Sequence, residues 1–277
     1  VITKEIVNQA IDYIMEHLAE EITIEDVARH CHFSKFYFSR IFKAETGESV
    51  YAFIKRLKMT QSAIRLKVDK AKSITDIGLD YGYSPSNYST VFRLHHRRSP
   101  AEFRKTLNPR QMPHPYDWQE SVRFLSFAEY DQRIKIQEFD DFVVIFERHI
   151  GNYQELAANW AAFAAKYRGF FTDDTLLIER SYDDPSITQI DQCLYDLCMT
   201  VDPACPLENV MTISGGKFAV FRFEGAVKDI FGAFQGIFNI WLPGSSYKLD
   251  ERYGLDIYRS VDCENLHVVM DLCVPVQ

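Results

Sequence analysis

Apolar positions in the first hundred residues recur every three to four places, the spacing of one helical face, and the pattern occurs twice. Ile24, Val27 and Ala28 mark a short helix behind Thr23, and Ile74, Ile77 and Gly78 mark another behind Ser73. Both hydroxyl residues are suited to satisfy free amides at a helix start. A break at His32 or Gly82 follows. Ser34 or Ser84 then opens a second helix, with the stripe Phe38, Ile41 and Phe42 or Tyr88, Val91 and Phe92. The match continues at an offset of 50, pairing Phe33-Ser34 with Tyr83-Ser84, Phe42-Lys43 with Phe92-Arg93, Ser49 with Ser99 and Phe53 with Phe103. One chemistry repeated at one spacing means one supersecondary unit used twice. Short helix, tight turn and second helix together predict two helix-turn-helix units.

If each stripe faces the core, the polar start of each second helix faces outward. In the first unit that face carries Ser34, Lys35, Phe36, Tyr37, Ser39, Arg40 and Lys43. In the second it carries Ser84, Ser86, Asn87, Ser89, Thr90 and Arg93. Arg and Asn read base edges, whereas Lys and Ser favour phosphates, so these thirteen positions are the candidate contacts to double-stranded DNA. Any one of them taken alone could equally be an ordinary solvated residue; the set is what points to DNA. Between the units, Ser49 to Val68 reads as one helix with Phe53, Leu57, Ile64 and Val68 on one side. Its length, roughly 30 Å, is close to the spacing of about 34 Å between major grooves on one face of DNA.

Beyond Leu107 the pattern changes. Leu107 to Tyr116 holds three prolines and no periodicity, which predicts a linker over 108–120 between domains at 1–107 and 121–277. After it, short runs rich in Val, Ile, Phe and Tyr alternate with two helical patterns, and these also repeat. Arg148-x-x-Gly151 returns as Arg222-x-x-Gly225, Ile178-x-Arg180-Ser181-x-Asp183 as Ile257-x-Arg259-Ser260-x-Asp262, and Asp196-Leu197-Cys198 as Asp271-Leu272-Cys273. The expected fold is therefore an all-α domain with two helix-turn-helix units joined by a long helix, followed by an α+β domain. In the latter, duplicated β-α-β-β units form an antiparallel sheet with two helices on one face.

Charge sharpens this division. The net charge of −8 is unevenly spread, with 17 Lys/Arg against 13 Asp/Glu over residues 1–107 and 14 against 26 over the remainder. Such asymmetry predicts different partners for the two parts. The six cysteines (Cys31, Cys193, Cys198, Cys205, Cys263, Cys273) form no CxxC pair and have no nearby histidine ligands, so reduced buried thiols are expected, with no metal and no cofactor. No apolar run is long enough to span a membrane, and a cytoplasmic protein is expected.

A duplicated sheet has a pseudo-twofold axis, and the groove along it is a natural place for a small-molecule effector. Tyr153, Trp160, Tyr182, Tyr195, Phe221 and Trp241 are candidates to line it. Asp256 and Tyr258, two apart on an expected strand, share one face. A carboxylate beside aromatic rings suits a lipophilic cation, although the same residues would also serve as core and a solvated acid.

Two resemblances extend the reading. Over residues 3–105 the chain resembles the AraC/XylS family of transcription regulators. The likeness is carried by Phe33-Ser34-x-x-x-Phe38-Ser39-Arg40-Ile41-Phe42-Lys43-x-x-x-Gly47, by Arg56-Leu57, by Ile74-x-x-Ile77-x-x-x-x-Gly82-Tyr83 and by Ser99-Pro100-x-x-Phe103-Arg104. Thr90 stands where that family commonly has Arg, Arg97 stands where it has a helix-closing Gly, and the turn after Gly82 is expected to be one residue shorter. Over residues 121–277 the chain resembles GyrI-like (SHS2-type) effector-binding domains, through Arg148-His149-x-Gly151-x-Tyr153, Tyr182-Asp183-Asp184-Pro185, Tyr195-Asp196, Gly215-Gly216-Lys217-x-Ala219-Val220-Phe221 and Trp241-Leu242-Pro243. Asp256 stands where those domains usually place a Glu. Together the resemblances imply a regulator, an activator working with RNA polymerase, whose effector is a small cationic amphipath; they do not imply an enzyme. Monomer and homodimer both remain open, because two units in one chain remove the need for a second. Hydrolysis of small toxic molecules by the back domain, or binding of a protein partner, are the alternatives.

Overall fold

The computed structural model describes residues 1–106 and 124–277, so the linker expected over 108–120 lies outside the described residues. By contact the chain forms two compact units, Val1–Leu107 and Asn108–Gln277.

The first unit is helical: α1 (Glu5–Glu16), α2 (Ile24–His30), α3 (Lys35–Thr46), α4 (Val50–Val68), α5 (Ile74–Asp80), α6 (Pro85–His96) and α7 (Pro100–Thr106). The repeat at offset 50 is visible atom by atom. Thr23 accepts from the Asp26 amide at 3.2 Å, and Ser73 accepts from that of Asp76 at 3.0 Å. Phe42 meets Phe53 edge-on with ring centroids 5.2 Å apart, and Phe92 meets Phe103 in the same way at 5.4 Å. The two turns are equally long, residues 31–34 and 81–84. His32 and Gly82 both take left-handed backbone, at φ 60° and 78°. Arg97 closes α6 at φ 58° where Gly47 closes α3 at φ 80°.

Two expectations need correction. Ser34 and Ser84 sit at the helix starts but make no side-chain cap bond. Three residues on stand Tyr37 and Asn87, not the carboxylates that hold the hydroxyls of Thr23 and Ser73. Likewise α4 is not one-sided. Arg56, Lys58, Thr60, Ser62 and Lys67 are buried along with Phe53, Leu57 and Val68, whereas Ile64 is only half-buried. The helix is the shared core of both units, covered on most sides. Its polar residues are satisfied: Arg56 pairs with Glu48 at 2.7 Å, and Lys58 donates to the carbonyls of Glu20 at 2.6 Å and Tyr81 at 3.0 Å, one from each half of the repeat.

The second unit begins with α8 (Phe127–Arg133) and continues through β1 (Ile134–Phe139), β2 (Phe142–Ile150), α9 (Leu156–Tyr167), β3 (Leu177–Ser181), β4 (Leu194–Thr200), β5 (Val210–Ile213), β6 (Gly216–Ala226), α10 (Ile230–Gly236), β7 (Gly254–Asp262) and β8 (His267–Pro275). All strands join one antiparallel sheet in the order β1-β6-β8-β7-β3-β4-β2-β5. The order is symmetric about the β3·β7 junction, which is where the duplicated β-α-β-β units meet. Strands β1 and β5, one at each edge, and the helix α8 are additions that the repeat did not predict. The second helical pattern also differs from the first: α10 runs into a π-helical stretch, Ile237–Trp241. One sheet face holds Phe146, Ile178, Phe218, Leu255 and Ile257. On the other, Ile145, Leu197 and Met199 pack with Phe163 and Tyr167 of α9. Of the six free thiols four are buried, but Cys205 is half-buried and Cys263 exposed, so the expectation of buried thiols holds for four of them.

Candidate functional sites

The first site is the outer face of α3 and α6. Phe38 and Phe42, or Tyr88 and Phe92, are buried inward, so the remaining positions turn out by helical geometry. Twelve of the thirteen sequence-derived positions are exposed, and Ser39 is half-buried. Phe36 is 83% exposed, a large apolar ring held in water. Two hydroxyl or amine groups are engaged: Lys35 forms an ion pair with Glu25, and Thr90 donates to the Ser86 carbonyl at 3.1 Å. Arg40, Lys43 and Arg93 project as exposed cations. With about 1.5 Å per residue, the nineteen-residue α4 between the two units is about 28 Å long.

The second site lies where β3 meets β7. In the antiparallel register Glu179 stands directly opposite Asp256, so two carboxyl side chains share one cross-strand position on the α9 face. Both are buried, and neither is in an ion pair. Tyr258 donates its hydroxyl to Glu179 Oε2 at 2.9 Å, and Ser181 donates to Oε1 at 3.4 Å. Asp256 Oδ1 is buried with no hydrogen-bond partner. Burial pushes the Glu179 carboxyl up to about 7. Burial, followed by the charge of Glu179, raises the Asp256 carboxyl well above the usual range. Two like charges so close resist ionising together, so the pair holds part of its negative charge back as bound protons.

Aromatic rings wall this pair. Trp160 of α9 meets Tyr258 edge-on at 5.3 Å. Tyr195 is sandwiched between Tyr153 at 4.8 Å and His149 at 5.2 Å, and its hydroxyl accepts from Asn159 at 2.8 Å. Burial holds His149 neutral by lowering its pKa to about 4, so no cation from the protein enters the stack. Tyr153, Trp160 and Tyr258 are half-buried and reach the surface. The arrangement sets two carboxyls of raised pKa in low dielectric beside aromatic rings, chemistry suited to an organic cation.

The structure therefore brings together Asp256, Tyr258, Tyr153, Trp160 and Tyr195. It separates three other candidates from them. Tyr182 is buried on the opposite sheet face, bonded to Asp196 and, at 3.2 Å, to Arg148. It directly follows Ser181, and alternation along the chain turns it away. Phe221 lies two strands from Asp256, through Leu272, and packs on Tyr130 of α8 at 5.6 Å. Trp241 is fully buried and donates its indole N–H to Asp131 of α8 at 2.9 Å. Glu179 joins this candidate site although nothing in its own stretch of sequence singles it out. Pairing the two repeated strands antiparallel across the expected axis would have placed it opposite Asp256.

Residues 132–277 match the GyrI-like small molecule binding domain, and residues 27–106 match a helix-turn-helix domain. The regulatory protein SoxS of Salmonella typhimurium is 30% identical over 105 residues, covering 38% of this chain and 97% of SoxS. The regulatory protein PocR of the same organism is 34% identical over 106 residues, covering 38% of this chain but only 35% of PocR. Among solved structures, the C-terminal domain of AraT, a response regulator from Geobacillus stearothermophilus, is similar at 30% identity. That match covers 37% of this chain and 86% of AraT's, with a TM-score of 0.36.

Proposed function

The chain belongs to the AraC-type regulators and to the GyrI-like small molecule binding family, and we propose that it is a cytoplasmic transcription activator controlled by an organic cation. DNA is held by α3 and α6 in successive major grooves. Arg40 and Asn87 read base edges, Phe36 packs on thymine methyls, and Lys43 and Arg93 neutralise phosphates. One chain carries both recognition helices, so a monomer suffices to grip two major grooves of a promoter, where it would meet RNA polymerase.

The observation that carries the effector reading is the pair Glu179–Asp256, buried without an ion pair among aromatic rings. A cation placed there supplies the missing counter-charge, and cation–π attraction from Trp160 and Tyr258 selects a flat or apolar body. The effector changes output only if it binds two states of the protein with different affinity. The test is DNA binding by the full chain, to duplexes selected from a random pool, with and without an aromatic ammonium ion. Affinity should fall with added salt at a log–log slope of about −0.9 per phosphate contacted, and the cation should alter DNA affinity or transcription in vitro. Salt-independent binding would refute the DNA half, and an output indifferent to every cation tried would refute the effector half.

Raised, paired carboxyls are also what acid–base hydrolysis employs, which keeps one second reading in view. Recovery of the bound cation unchanged after prolonged incubation separates sensing from turnover.

A further inference from the structure

Glu179 and Asp256 face each other in register, yet their surroundings differ. Glu179 has both oxygens served, by the hydroxyls of Tyr258 and Ser181. Asp256 has Oδ1 sealed from water with no donor, in a side chain that is 96% buried. Buried acceptors in folded proteins are nearly always matched, and one that is not asks for a donor from outside the chain. It lies on the sheet face that also carries Glu179, Tyr258 and the rings packed with α9.

We propose that the effector is a protonated amine, which donates an N–H to Asp256 Oδ1, in preference to a quaternary onium ion that has no N–H to give. This rests on the reading of the carboxylate pair as the effector site and narrows its ligand class. The two cation types make opposite demands. A quaternary centre sheds water easily and is at home in a plain aromatic box, where charge and ring faces are all it needs. An N–H cation loses more hydration on entry and gains only where a buried acceptor replaces that water. The orphaned oxygen makes this site the second kind. Glu179, already bonded twice, contributes charge more than geometry.

The experiment titrates the full-length protein at neutral pH with three matched probes, following tryptophan fluorescence. They are N,N-dimethyl-2-naphthylmethylamine (protonated), its N-methylated trimethylammonium counterpart and the uncharged carbon isostere. The protonated amine should bind at least about tenfold more tightly than the trimethylammonium ion, the size of effect expected of one charge-assisted hydrogen bond. Asp256→Ala should bring that ratio near one, and Glu179→Gln should weaken both cations while leaving the ratio in place. Equal or tighter binding of the trimethylammonium ion overturns the N–H inference but leaves the cation reading intact. Preference for the uncharged isostere, or no binding of either cation, overturns both. The comparison of probes on the wild-type protein needs no variant to fold, and thermal unfolding checks each variant used.

Discussion

At the residue scale the account turns on single protons and single contacts. Burial raises the Glu179 carboxyl to about 7, against about 4.5 for an ordinary glutamate, so between those values the folded protein holds a proton that the unfolded chain has lost. Its contribution to stability is therefore largest at acid pH and declines as pH rises through that window. Replacing Glu179 by Gln keeps the shape and removes the titration. The variant should match the wild type near pH 4.5 and exceed it above pH 7, by up to about 3 kcal/mol if the whole shift is felt. Urea unfolding of both proteins across pH reads the difference. Protons on the pair also set the sign for ligand: a cation favours the ionised carboxyls and displaces protons, so cation affinity should climb as pH rises through neutrality. At the DNA face, Lys43→Ala should reduce the magnitude of the salt slope by about one and weaken all sequences alike. Arg40→Ala should relax preference at one base position at a cost of about 1–3 kcal/mol. Asp256 was legible in the sequence because it alternates with Tyr258 on an evident strand. Glu179 was not, because Ile178-Glu179-Arg180 reads as a strand with solvated charges until its partner strand is known.

At the scale of elements, the duplication did most of the predictive work, and the departures from it are where sequence reading failed. Thr23 and Ser73 cap their helices as expected, because each is followed three places on by an aspartate that holds its hydroxyl. Ser34 and Ser84 lack that partner and leave their hydroxyls free of a cap bond. The repeat also explains a glycine. A Cβ on Gly78 would come within 2.8 Å of the Tyr88 ring, whereas the corresponding Ala28 fits in the first unit. Gly78→Ala should destabilise the helical domain by about 1–3 kcal/mol, the usual cost of overfilling a packed contact. The turn residues predict the opposite sign. His32 holds left-handed backbone where Gly82 does so freely, and His32→Gly should stabilise by roughly 1 kcal/mol, raising the melting temperature by several degrees. A fall in stability for His32, or none for Gly78, would contradict the packing described. In the second unit, the sequence offers Phe221 and Trp241, both from the second repeat, as walls of the groove along the pseudo-twofold axis. The short α8, too brief to signal itself by periodicity, fills that half with Tyr130 and Asp131.

For the molecule as a whole, the two units differ in charge as they differ in fold, and the proposed function assigns a different partner to each. The basic half holds two recognition helices on one shared core helix, and the acidic half places its buried carboxyl pair on its pseudo-symmetry axis. The division was legible from periodicity and charge alone, since a helical repeat and a strand-rich repeat cannot share one core. Which aromatics face the carboxyl pair was not, since that depends on strand order and on elements outside the repeat. The most direct test is calorimetric titration of the full chain with a protonated aromatic amine and its uncharged isostere, on wild type and on the double variant Glu179→Gln/Asp256→Asn. Saturable binding of the amine, at least tenfold weaker binding of the isostere and loss of the amine in the folded double variant are predicted. Equal binding of amine and isostere, or full retention of the amine by the double variant, would contradict the account.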